Sequence, residues 1–247
     1  MAELIIQSHT FSTLDTLLVV GRLEQLARRI QERFPSSGLL TVCHQLCYLG
    51  RETDERRKHI GNPILSLRIT SWLLIGVILL GLLTTLFSLT TPDKHYSFIE
   101  FVQLLESGIN DVVLIGAAIF FLYSLEGRLR RKKILKWLHE FRSIAHVIDM
   151  HQLTKDPERA LSRGNRTASS PENTLTLFEL SRYLDYCSEM LSLTGKLSAV
   201  YAQEFDDPLV LASVNEIEGL TTGLSRKIWQ KLMIVHSYGR QESLLVS

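Results

Sequence analysis

Cysteine is scarce in this chain. Cys43, Cys47 and Cys187 are too few and too scattered for a disulfide framework, and all three fall in segments expected on the reducing side of a membrane, so free thiols are the default. Excess charge is absent as well. The 27 Lys and Arg stand against 26 Asp and Glu, which leaves no global basic footprint of the kind nucleic-acid binding requires. Also missing are a phosphate-cradling glycine loop, a Walker lysine, GxSxG, HExxH and a Rossmann fingerprint, which argues against a nucleotide-driven enzyme. The first residues, MAELIIQSHTFSTL, carry Glu3 where a signal peptide has a basic region, and they hold no unbroken apolar stretch. No cleaved signal is expected.

What the chain does have is apolar mass in a few places. With 45% hydrophobic residues and a mean hydropathy of +0.10 it reads as a few membrane spans plus soluble helices. Ile69 to Leu89 runs without a charge for 21 residues. At about 1.5 Å per residue this matches a hydrocarbon core of about 30 Å, with Trp72 as an interfacial anchor. A second run, Val112 to Leu125, is shorter. Extended back to Gly108 it approaches spanning length, with Asn110 and Asp111 at the outer headgroup level. Behind it come Arg128, Arg130, Arg131, Lys132 and Lys133, a cytoplasmic stop whose cations also suit anionic lipid headgroups.

Lys and Arg resist translocation, so their distribution orients the hairpin. Arg51, Arg56, Arg57, Lys58 and Arg68 precede the first span, the basic run and Lys136 follow the second, and only Lys94 lies between. Both termini are therefore expected inside, in a bacterial-type inner (plasma) membrane. The outer segment 90–111 shows Phe98, Phe101, Val102, Leu104 and Leu105 at helical spacing, the pattern of a short interfacial helix, with Gly108 and Asn110 turning the chain into the second span. Gly81, Thr84, Thr85 and Ser88 on one span and Gly116, Ala117 and Ala118 on the other suit close helix packing, although no strict GxxxG occurs.

The remainder reads as cytoplasmic helices. Residues 1–68 form an N-terminal arm with helices at about Ser12 to Phe34 and Gly38 to Lys58, separated by Pro35-Ser36-Ser37-Gly38. Leu14, Leu17, Leu18, Gly21, Leu23, Leu26 and Ile30 are the expected apolar face of the first. The second span continues as a rod over 112–152, with Ile134, Leu138, Phe141, Ala145 and Ile148 along a seam of coiled-coil spacing. A flexible linker is expected over 153–173, with a helix start at Ser170-Pro171. Residues 174–238 predict an antiparallel hairpin. Its first helix carries Leu177, Leu180, Leu184, Cys187, Leu191, Thr194 and Tyr201, and its second Val210, Val214, Ile217, Leu224, Ile228, Leu232 and Val235. Asp207 and Pro208 open the second, and a frayed tail is expected over 239–247. The fold class is an all-α membrane protein: a two-span hairpin with a cytoplasmic bundle built from the arm, the extended second-span helix and the C-terminal hairpin.

Three groups of residues are candidates for chemistry. His146, Asp149 and His151, in HVIDMHQLTKD, combine imidazole and carboxylate at helical spacing and define a candidate metal site of a membrane-anchored enzyme. As an ordinary polar flank of the seam they need no such role. Asp111 and Glu126 bracket the second span as membrane or pore candidates, with Glu126 placed to pair with Arg130. Cys43 and Cys47 lie one turn apart without a second pair, which reads as cysteine on an apolar helix face. No cofactor and no nucleic acid are expected. The expected partners are the bilayer and either further copies of this chain or another membrane protein.

The layout of N-terminal helices, two-span hairpin and long cytosolic helix resembles, in architecture, the two-span bacterial effector and sensor membrane proteins of the SLATT type. The uninterrupted rod joined to a seam-forming hairpin leads to the expectation of a non-enzymatic membrane protein that self-associates or binds a partner through its cytoplasmic helices, as a signal relay or small pore. An accessory subunit of a larger membrane complex is the further alternative.

Overall fold

A computed structural model describes residues 13–60, 65–89, 98–157 and 175–245. Among these every regular element is a helix: α1 (Thr16–Arg33), α2 (Gly38–Ile60), α3 (Leu65–Leu89), α4 (Phe98–Leu153), α5 (Leu177–Glu204) and α6 (Pro208–Leu245). The chain divides into two compact units, one of Met1–Gly61 and Ile134–Ser247, the other of Asn62–Lys133. Helix α4 supplies residues to both.

In the first unit the helix ends follow local chemistry. Asp15 caps α1 by accepting from the Leu17 N–H at 2.9 Å, and Pro35 follows the last turn. Asp207 caps α6, accepting from the Leu209 and Val210 N–H groups at 3.0 and 3.3 Å, with Pro208 at the first helical position. Helix α5 starts later than Ser170-Pro171 suggested, because Thr176 and Glu179 form a reciprocal capping box directly before the first apolar turn. Most of the expected linker lies outside the described residues.

The core of this unit is one apolar cluster drawn from α1, α2, the last part of α4, α5 and α6. Ile134, Leu138, Phe141, Ala145 and Ile148 of the α4 seam are buried in it, as are the seven α6 residues from Val210 to Val235 named above. Burying a Leu, Ile or Phe side chain contributes about 1.5 to 3 kcal/mol, so these faces supply the cohesion of the unit. Helix α1 corrects the expected face. It buries Thr16, Val19, Val20, Leu23, Leu26, Ala27 and Ile30, whereas Leu17 and Leu18 are exposed. At 100° per residue Leu17 stands far from Leu23 around the axis, and the set that includes Val19 and Ala27 makes the better stripe.

Polar links join the helices at the edges of this core. Arg56 of α2 lies over the Trp137 ring at 5.1 Å and reaches Glu140 at 2.8 Å. Beside it the fully buried Tyr201 donates to the Thr53 hydroxyl at 3.3 Å. Arg29 pairs with Glu189 and Arg142 with Glu216, tying α1 to α5 and α4 to α6.

The second unit contains α3 and the first part of α4. One helix long and apolar enough to cross a membrane lies within Gly108–Leu153, and a shorter apolar stretch, Ile69–Gly81, lies in α3. The turn expected at Gly108 and Asn110 is absent, since α4 runs on through both. One glycine costs a helix only about 1 kcal/mol, too little to end it without proline or a competing cap. At the other end of the chain α6 likewise passes through Gly239 to Leu245, where a frayed tail was expected.

Candidate functional site

Two polar groups stand out, one in each unit. In the second, the apolar part of α4 gives way to charge over one turn. Glu126 and Arg130 are four residues apart, bringing Oε1 and Nη2 to 2.5 Å with both side chains half-buried. Arg128 lies over the Phe121 ring at 5.8 Å, and Lys132 and Lys133 are exposed. Arg131 is half-buried. The Asp111 side chain lies outside the described residues.

In the first unit a polar node surrounds the C-terminal end of α4. The Gln152 side chain, almost fully buried, donates to Asp149 at 2.6 Å. The Gln152 carbonyl accepts from the Lys231 ammonium at 2.7 Å and from the Lys155 N–H at 3.1 Å. Carbonyls in the last turn of a helix have no intrahelical donor, so Lys231 supplies from α6 what α4 cannot. Burial pulls the Lys231 ammonium below its ordinary pKa, while Asp156 and Asp149 oppose that fall.

His151 points elsewhere. Its Nδ1 is 3.5 Å from the Tyr183 hydroxyl of α5, and its ring lies so close to Gly38 of α2 that a Cβ there would meet Cε1 at 2.5 Å. Burial, and secondly the nearby Lys155, lower the His151 pKa and favour the neutral ring. Lys155 also lies over the Tyr183 ring at 5.1 Å, and Phe34 meets that ring edge-on. Burial raises the Tyr183 hydroxyl well above the ordinary phenol range and pushes the Cys187 thiol up to about 12.

Of the metal candidates, then, Asp149 is bound to Gln152, His151 faces Tyr183 and Gly38, and His146 is exposed. Among the described residues no group of three or more His, Cys, Asp and Glu side chains is arranged to hold a metal ion. What the node does chemically is close a helix end. The residues that sequence reading missed, Gln152, Tyr183 and Lys231, come from three helices. Only the lysine, set among apolar residues of α6, left a signal.

A scan against family models, a search of curated proteins and a search of solved structures found no match to the chain.

Proposed function

We propose that this chain is a non-enzymatic integral membrane protein with two spans and both termini in the cytoplasm. Its cytoplasmic helices bind further copies of the chain or a partner membrane protein, as a signal relay or a small pore. The observation that carries the reading is the apolar surface of α3 and of the first part of α4. Trp72, Leu73, Leu80, Val112, Phe120 and Phe121 are all exposed, in elements far more apolar than a water-facing surface tolerates. Lipid satisfies them. The basic run 128–133 then meets anionic headgroups on the cytoplasmic side, each cation contributing about 1 kcal/mol near the surface.

Support for a protein partner comes from the first unit. Trp229 and Met233 of α6 are more than half exposed, as are Met150 and Leu153 of α4, and exposed tryptophan and methionine are favoured anchors of interfaces.

The test has two parts. Alkaline carbonate washing should leave the protein in the membrane pellet, and tags on either end should be digested in inside-out but not right-side-out vesicles. Release by carbonate, or a tag accessible from the outside, sinks the topology. Crosslinking in membranes should then give a ladder or a partner adduct that Trp229→Ser and Met150→Ser weaken. A strict monomer with no adduct refutes the association.

A further inference from the structure

Helix α6 keeps a second ordered stripe outside the core. Along the flank of its buried face Leu211, Asn215 and Glu218 are exposed before Thr222, and Arg226, Trp229 and Met233 are exposed after it. Counted from Thr222, itself exposed, the two sets fall at the same offsets of 4, 7 and 11 residues. A twofold axis through the middle of a helix contact reverses the second helix and exchanges residues at equal offsets. A second α6 placed this way sets Glu218 against the second copy's Arg226 and Leu211 against its Met233. It also brings the Asn215 side chain, a hydrogen-bond acceptor, to the second copy's Trp229, whose indole N–H is a donor only.

Charge separates along the same helix. Between Val210 and Val235 the acids, Glu216 and Glu218, come before Thr222, and the bases, Arg226, Lys227 and Lys231, come after it. Glu216 is taken by Arg142, and Lys231 by the Gln152 carbonyl. Among the described residues Glu218 and Arg226 pair with no opposite charge of their own chain. Lys196, which lines the same groove between α5 and α6 as Glu218, donates instead to Ser192 at 2.7 Å. A parallel pair of α6 helices would set like charges together at both positions, whereas an antiparallel pair matches both.

The backbone allows the approach. Glu218, Thr222 and Arg226 form one row of every fourth residue, and Gly219 and Gly223 floor the furrow beside it, where an added Cβ meets nothing within 4 Å. Rows of this spacing interdigitate between helices crossing at about 50°, and small side chains at the contact let the axes come to about 8 Å.

We propose that α6 is the seat of a symmetric antiparallel dimer of this chain, with its twofold axis at Thr222. The proposal rests on the reading above that the cytoplasmic helices associate, and it names the occupant and the surface. From Leu211 to Met233 the stripe is about 33 Å long, with apolar contacts at its ends and ion pairs nearer its centre. Because the contact is isologous, each pair occurs twice.

The experiment follows self-association of the full chain in detergent by sedimentation over a range of concentrations. Glu218→Arg and Arg226→Glu should each raise the dimer Kd by about tenfold, since each turns two attractive contacts repulsive. The double variant, and an equal mixture of the two single variants, should return to within about threefold of the parent. Coupling by oxidation fixes the geometry, because the three native cysteines are buried. Thr222→Cys should couple to its own copy. Gln230→Cys should not, as two such residues stand about 24 Å apart along the antiparallel pair and side by side in a parallel one. Single charge reversals without effect, no rescue in the double variant, or coupling at Gln230→Cys overturn the proposal. Oligomers or partner adducts crosslinked in membranes while Thr222→Cys stays uncoupled also overturn it, and leave the wider association reading standing. A strict monomer with no adduct overturns both.

Discussion

Arg56 and Glu140 lie 84 residues apart in sequence, yet their side chains meet at 2.8 Å, with the guanidinium also lying over Trp137. The pair joins α2 to α4 at the start of the seam, and Arg56 is largely buried there. A charge so placed combines an ion pair, ring stacking and its own apolar stem.

Arg56→Ala should therefore destabilise the protein by about 1 to 3 kcal/mol, and Arg56→Lys should recover only part of it, since an ammonium cannot reproduce the planar stack. Denaturant melts of both variants, with Glu140→Ala completing a double-mutant cycle, measure this. A coupling energy near zero between the two positions would contradict the assignment.

Two glycines should respond in opposite directions to the same substitution. Gly21 of α1 has nothing within 4 Å of an added Cβ, so Gly21→Ala should stabilise by about 0.5 to 1 kcal/mol through helix propensity alone. At Gly38 the new methyl meets the His151 ring, and Gly38→Ala should lose about 1 to 3 kcal/mol of stability. Comparing the two thermal midpoints in the same detergent checks it.

His151 should make stability depend on pH. Its folded pKa lies below the unfolded value of about 6.5, so the unfolded chain binds the proton more readily. The contribution of the neutral ring is complete above about 6.5 and is lost as pH falls through that value towards the lower folded pKa. Melts at several pH values between about 5 and 8 should show a slope that His151→Gln flattens. An unchanged slope in the variant removes His151 as its source.

Thr176→Ala should cost about 1 kcal/mol, because it removes the hydroxyl that accepts from the Glu179 N–H at the start of α5, while the Thr176 N–H can still donate to the Glu179 carboxylate. Thr176→Ser should be close to neutral. Hydrogen exchange at the Glu179 amide, which donates to the Thr176 hydroxyl, gives a local readout.

Periodicity was most legible where a helix has a single buried stripe. The seam of α4 and the spacing of α6 name the side chains that are buried, because a 3.6-residue repeat leaves only one face for the core. Helix α1 was misread because its leucines outnumber its valines and alanine, although the smaller residues occupy the buried stripe. Boundaries are less legible: Gly108 and Asn110 suggest a turn that the helix passes through, the expected frayed tail continues α6 to Leu245, and the start of α5 is set by the Thr176 and Glu179 box. The node at His151 was half legible. Asp149 and His151 were visible as a cluster, but Tyr183, Lys231 and Gly38 reach it from other helices, and separation in sequence hides such neighbours.

The first unit is split in the chain: its opening piece ends at Gly61, and its remainder begins at Ile134. During synthesis the α1–α2 hairpin leaves the ribosome long before α5 and α6 exist, with Leu26, Leu46 and their neighbours still lacking the side chains that cover them. The apolar residues of α3 and α4 must be handled while that half-core waits. Maturation of this protein therefore involves an interval in which the apolar surface of α1 and α2 is open while the residues up to Ile134 are made. Transiently exposed apolar surface of this kind is aggregation-prone and is what chaperones cover.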